Sequence, residues 1–173
     1  MRDSRLLVCS CVELGPVSGG FQPGCWRDLH GAAECRIWEK VFPGRREEVR
    51  RARFWTRNVV QGAPFADDAE QIVTELINNA ILHTASGWSL GCFSMAHAVS
   101  ERVVTLSVTD EGRTGNTPQR KDSDGEAQNG RGLDIVTKLA HRTRVHRASG
   151  GYRIAADIIR RASDGLWSMQ ADG

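Results

Sequence analysis

The chain has 173 residues, 40% hydrophobic and 25% charged, the make-up of an ordinary soluble domain with one core. Its 23 Lys+Arg against 21 Asp+Glu leave a net charge of +2, which excludes a strongly basic nucleic-acid binder and an acidic disordered tail as readings of the whole chain. No stretch nears the ~20 apolar residues that span a bilayer, and Leu6-Leu7-Val8-Cys9 is too short for a signal-peptide core, so a cytoplasmic protein is expected. Only Lys40, Lys121 and Lys138 are lysines; the other basic residues are arginines, most simply the mark of a GC-rich genome.

Residues 1–35 hold Cys9, Cys11, Cys25 and Cys35, with Gly15, Gly19, Gly20, Gly24, Gly31, Pro16 and Pro23, and no sustained period. They read as a loop-rich or disordered extension. Cys9, Cys11, Cys25, His30 and Cys35 raise a zinc site, but structural zinc favours pairs two to four residues apart and Cys9-x-Cys11 is tighter. Disulfides are expected even less in a cytosolic protein. A start codon placed too early is a further reading.

From Arg36 to Phe42 partial alternation predicts a strand, broken by Pro43-Gly44. From Arg45 to Val60 the period is helical, with Val49, Ala52, Thr56, Val59 and Val60 on one face. Arg46, Arg50, Arg53 and Arg57 form a second stripe, read as a solvated face rather than a docking surface for an acidic partner. After the loop Gln61–Pro64, Asp67 with Glu70 reads as a capping box. The helix it opens runs to about Thr84, with Ile72, Val73, Leu76, Ile77, Ala80 and Ile81 as its apolar face. Strands follow at about 90–99 and 102–109 around Ser100-Glu101, with Cys92 as a buried small hydrophobe. Residues 110–131 show no period, and a structureless stretch of that length is usually functional. A helix at about 132–141 (Leu133, Ile135, Val136, Leu139 and Ala140 apolar) and a hairpin, 143–148 with 152–159, complete the domain. Residues 161–173 are a tail. The order predicts an α/β (α+β) two-layer sandwich, a mostly antiparallel sheet covered on one face by three helices.

No phosphate-loop signature and no G-x-G-x-x-G is present. Three other features stand in order. In Glu75-Leu-Ile-Asn-Asn79-Ala-Ile-Leu-His83, a carboxylate, an amide and an imidazole share one helix face; a solvated polar stripe is the plainer reading. Asp110-Glu111-Gly112 ends a strand: a carboxylate there accepts from an amino group such as that of adenine, and Gly112 admits a flat ligand, although a strand-ending turn looks the same. Asn129-Gly130-Arg131-Gly132-Leu133 opens a helix, where exposed N–H groups meet phosphate; a plain hinge is the alternative.

Together these resemble the N, G1 and G2 boxes of the ATPase superfamily of gyrase, bacterial histidine kinases and MutL (the Bergerat fold, or GHKL superfamily). The nearer resemblance, over about Ile37 to Ile159, is to the RsbW-like serine-kinase anti-sigma factors and their actinobacterial relatives, with Val41-Phe-Pro-Gly44 and Asp67-Asp68 adding to it. The resemblance implies an ATP-binding domain over 36–160. It implies Asn79 as the ligand of a phosphate-bridging Mg²⁺, His83 beside the nucleotide, and Glu75 as the general base taking the proton of a partner's Ser or Thr hydroxyl. Asp110 and Gly112 would hold adenine, residues 113–129 would be the lid, and Gly130, Arg131, Gly132 and Leu133 would meet the phosphates. Tyr152 stands where the family often has Thr, and Asn129 where close relatives often have His. The implied function is a serine/threonine protein kinase in partner switching. Its partners are a sigma factor and an anti-sigma antagonist, with homodimerisation expected and no direct nucleic-acid or membrane contact. The alternatives are a non-catalytic, nucleotide-gated binding module and the ATP-binding half of a split histidine kinase. The intact Glu75 favours the kinase, and the lack of a recognisable phosphoacceptor helix pair disfavours the last.

Overall fold

Val103-Val-Thr-Leu-Ser-Val-Thr109 alternates large apolar with small polar side chains, and that alternation sets the architecture. Two successive residues of a strand point to opposite faces, so Val104, Leu106 and Val108 face one way and Thr105 and Ser107 the other. The computed structural model describes residues 5–9, 35–112, 131–148 and 150–159. In chain order they form β1 (Arg5–Cys9), β2 (Cys35–Pro43), α1 (Glu48–Val59), α2 (Ala66–His83), a 3₁₀ turn (Ala85–Gly87), β3 (Cys92–Val99), β4 (Val103–Thr109), α3 (Arg131–Leu139), β5 (Arg142–Ala148) and β6 (Gly151–Ile159). The strands make one sheet in the order β1-β2-β3-β4-β6-β5, every neighbouring pair antiparallel. The three helices lie on one face, so the expected two-layer α+β sandwich is the observed fold.

The core fills the space between helices and sheet. Ile72, Val73, Leu76 and Ile77 of α2 meet Phe93, Met95, Val104 and Leu106. Phe42 stacks on Phe93 with ring centroids 5.5 Å apart, and Val136 anchors α3. The opposite face carries Ala96, Ala98, Thr105, Ser107, Ala155 and Asp157, all buried. Asp157 there accepts from Thr105 Oγ1 at 2.8 Å and pairs with Arg144 at 2.7 Å.

Several expectations change. Arg5–Cys9 is an edge strand, Leu7 opposite Ile37 and Cys9 opposite Cys35, rather than loop: a short apolar run suffices when a strand edge is ready to pair. Residues 10–34 and 160–173, with the calls for a loop-rich segment and a tail, lie outside the described residues. The capping box does not form. The N-cap of α2 is Phe65, with no side-chain cap, because Glu70 and Asp67 are taken by arginines of α1. Arg57 binds both, and Arg53 binds Glu70 at 3.1 Å. Their bonds, Glu70's first and Asp67's next, raise the Arg57 guanidinium above its usual range. The arginine stripe is thus half solvated and half engaged. Strand β3 begins at Cys92 rather than Leu90, since Gly91 turns the chain by bonding Trp88 and Gly44, leaving Leu90 at the surface. Cys92 is half-buried, and its thiol donates to Glu111. Helix α3 starts and ends a residue or two early, and Leu133 of its apolar set is exposed.

Candidate functional site

α2 carries three of the implied residues. Its apolar stripe is held by the sheet, which turns the neighbouring stripe of Glu75, Asn79 and His83 to the margin of the core, where all three are half-buried. Across from Glu75 runs the first turn of α3. A methyl group on Gly132 would come within 2.8 Å of Glu75 Oε2, so the lack of a side chain there is what lets α3 approach. Among the described residues no hydrogen bond or ion pair occupies the Glu75 carboxylate. Arg131 is the first residue of α3 and Leu133 sits on its exposed side; Gly130 and Asn129, with the segment implied to be the lid, lie outside the described residues.

The second group gathers around Asp110, at the end of β4. Its Oδ1 accepts from the backbone N–H of Gly112 at 2.7 Å and of Tyr152 at 3.1 Å, while its own N–H donates to the Tyr152 carbonyl at 2.9 Å. No described hydrogen bond uses Oδ2, which leaves an acceptor for a ligand amino group. Gly112 has φ +68°, a left-handed conformation that side chains resist, and a Cβ there would lie 2.3 Å from the Gly150 carbonyl. Its carbonyl accepts from Ala85 N–H at 2.6 Å, and Glu111 N–H donates to Ser86 Oγ at 3.0 Å. The turn is thereby fastened both to the β5–β6 hairpin and to the end of α2.

Three of these participants carry no functional signal in the local sequence. Thr84, whose Oγ1 accepts from Ser86 N–H, and Ser86 brace the Asp110 turn. Gly151 was read only as a hairpin turn, yet a Cβ on it would meet Asp110 O at 2.1 Å and Asp110 Oδ1 at 2.6 Å. A Gly-Gly pair signals a turn locally; the packing of that turn on a strand end 40 residues earlier leaves no local signal. Tyr152 engages Asp110 through its backbone, and its side chain is half exposed.

The residues present suit a nucleotide. An open carboxylate oxygen lies at one place, a carboxylate facing a helix start at another, and the amide of Asn79 lies one turn beyond Glu75, a hard oxygen donor of the kind Mg²⁺ takes. A separate cleft of about 510 Å³, lined by Pro64, Phe65, Asp68, Lys138 and His141 among others, opens at the opposite end of α2 and includes none of these residues. Among the described residues no helix is long and apolar enough to cross a membrane, and no three His, Cys, Asp or Glu cluster as metal ligands; Cys11, Cys25 and His30 lie outside them. No curated protein matches the chain. Residues 42–157, from the end of β2 into β6, match the histidine kinase-like ATPase domain, and the chain belongs to that family.

Proposed function

We infer that the chain is an ATP-binding serine/threonine protein kinase of the anti-sigma type, cytoplasmic, acting in partner switching on a Ser or Thr of an antagonist protein. Domains of this family bind ATP, usually with Mg²⁺. The observation that carries the catalytic reading is Glu75, half-buried, facing the start of α3 with no arginine or lysine of the described residues upon it. A carboxylate left unpaired in that position is suited to accept a proton from an attacking hydroxyl. Bound ATP supplies the γ-phosphoryl group as electrophile. Asp110 Oδ2 would accept from the adenine amino group, while Oδ1 stays engaged with the backbone N–H groups of Gly112 and Tyr152, which fixes the carboxylate's orientation. Asn79 would offer its amide oxygen to Mg²⁺. Glu75 orients the partner's hydroxyl and holds its proton. Gly132 allows α3 to bring its first N–H groups close to the same place, at the positive end of the helix dipole.

Incubating the protein with γ-labelled ATP, Mg²⁺ and a single-domain antagonist encoded beside its gene tests this. Label transfer to a Ser or Thr that disappears in Glu75→Gln, with ATP binding retained, is the expected result; transfer that survives in this variant sinks the mechanism. The alternative of a nucleotide-gated binding module has one observation in its favour: Tyr152 stands where the family often has Thr and reaches Asp110 through its backbone alone. ATP-dependent binding of a sigma factor with no label transfer would establish it. A homodimer, expected by resemblance, is read from the same preparations by sedimentation.

A further inference from the structure

The helix-surface neighbours of Phe54 are Arg50, Arg51, Arg57 and Asn58, three and four residues to either side. α1 turns Ala52, Trp55 and Thr56 into the core, which points Phe54 the other way, and it is 67% exposed. A face that meets only water gains nothing from a ring there, because an exposed phenyl group keeps apolar surface wet. The ring also stands among cations. Residues 45–59 hold six arginines and two glutamates, a surplus of four on a chain whose net charge is +2. Arg53 and Arg57 are taken by Glu70 and Asp67 of α2, and Arg51 by Glu48. The side chains of Arg46 and Arg50 make no hydrogen bond or ion pair among the described residues, and both are exposed.

We propose that the solvent face of α1, centred on Phe54 and Arg50, docks a partner protein through an acidic surface with an apolar recess for the ring. Aromatic and Arg side chains are enriched at interface centres and carry most of the binding energy there. The ring fills the recess, and carboxylates at its rim meet Arg46 and Arg50, whose guanidinium groups match a carboxylate with two parallel bonds. This is the half of the arginine stripe that α2 leaves free. A second copy of the chain is disfavoured as the occupant: a two-fold interface sets one patch against itself, which here places arginine against arginine. Nucleic acid needs a row of free cations along its phosphates, whereas the arginines on one flank of Phe54 are already paired, with Asp67 89% exposed beside them. α1 and α3 both pack on α2, so a partner on the outer face of α1 leaves the groove between Glu75 and Gly132 open. The surface stands apart from the nucleotide chemistry; only the choice of probe rests on the partner-switching reading.

Calorimetric titration of the full-length protein with the single-domain antagonist encoded beside its gene, ATP and Mg²⁺ present, gives the test. Phe54→Ala and Arg50→Glu are each expected to weaken binding about tenfold or more. Circular dichroism and ATP affinity stay unchanged, because both side chains lie in solvent. Added salt is expected to weaken the wild-type complex, and Arg50→Glu to flatten that dependence. A Kd that neither variant changes overturns the docking surface and leaves the kinase reading standing. Weakened docking in both variants, with no label transfer by the wild type, upholds the surface and sinks the kinase; an antagonist that the wild type does not bind overturns both. A short DNA duplex bound as tightly as the antagonist, and lost in Arg50→Glu, assigns the face to nucleic acid. Sedimentation of a dimer that Phe54→Ala dissociates assigns it to a second copy, and either result overturns the proposal.

Discussion

Glu70 and Glu75 sit on the same helix, little more than one turn apart, and have different fates. Glu70 lies buried between Arg53 and Arg57 of α1. Its charge is spent on fixing α1 against α2, and the capping role its position invited is lost to that pairing. Glu75 is more open, lies against the backbone of Gly132, and has no hydrogen bond or ion pair among the described residues. A carboxylate held by two arginines has its oxygens engaged, whereas no hydrogen bond or ion pair among the described residues uses those of Glu75. The difference lies in what the neighbouring helix presents: α1 offers a stripe of arginines, α3 a backbone. Whether a carboxylate serves the fold or the chemistry is decided by its neighbour across the groove.

The sharpest way to break this comparison is to remove each charge in turn. Glu75→Gln is expected to lower phosphoryl transfer by roughly 10²–10⁴-fold, the usual worth of a positioned base, with little change in Tm. Glu70→Gln is expected to keep transfer and lower Tm, and the reverse pattern in a kinase assay paired with calorimetry would undo the contrast.

A third titratable group sharpens it by having no charged partner among the described residues. His97 is fully buried, its Nε2 2.9 Å from Thr56 Oγ1 and its ring 4.6 Å from that of Trp55. Thr56 already donates to Ala52, so Nε2–H is assigned as the donor to Thr56. Burial lowers its pKa to about 4, against a smaller raising effect from the Ala96 backbone. The unfolded chain, with an ordinary value near 6.5, takes up the proton first. Stability is therefore full above about pH 6.5 and falls as the pH drops towards 4, by roughly 3 kcal/mol in all. Urea midpoints across that range measure the slope, and His97→Gln is expected to flatten it.

Asp110→Asn tests a carboxylate that has both kinds of neighbour. The asparagine keeps an oxygen for the N–H groups of Gly112 and Tyr152 but replaces the open acceptor with a donor. A loss of about 1.5–3 kcal/mol in ATP binding, ten- to a hundredfold in Kd, is expected by calorimetry with a small change in Tm. The smallest effect belongs to Arg53→Ala, which removes a half-exposed partner of Glu70 and is expected to cost less than about 1 kcal/mol in chemical denaturation; Arg57 keeps its bonds.

Much of this was legible in the chain. The periods of α1, α2, β3 and β4 follow from residues such as Ile72, Leu76, Val104 and Leu106, whose spacing reports which side faces the core. Glu75, Asn79, Asp110 and Gly112 were readable because they occupy one helix face and one strand end. What escaped was long-range. Glu70 looks like a cap until α1 brings Arg53 and Arg57 to it. Gly151 looks like any turn glycine until the hairpin meets Asp110. Arg5–Cys9 looks too short for a strand until β2 supplies its partner. In each case the missing term was a neighbour distant in sequence, and local pattern carries no record of it.

The fastening of the Asp110 turn has a mechanical consequence. With Gly112 bonded to Ala85, Glu111 to Ser86, and Asp110 to Tyr152, the Asp110 turn and the helix bearing Glu75 form one chassis. The opposite wall, α3, is packed on the core through Val136 but has no hydrogen bond to that chassis among the described residues. Adjustment of the groove to its contents is therefore borne by α3, and small-to-large changes at Gly132 act as a wedge: Gly132→Ala is expected to shift Glu75 and slow turnover while leaving recognition of the base untouched.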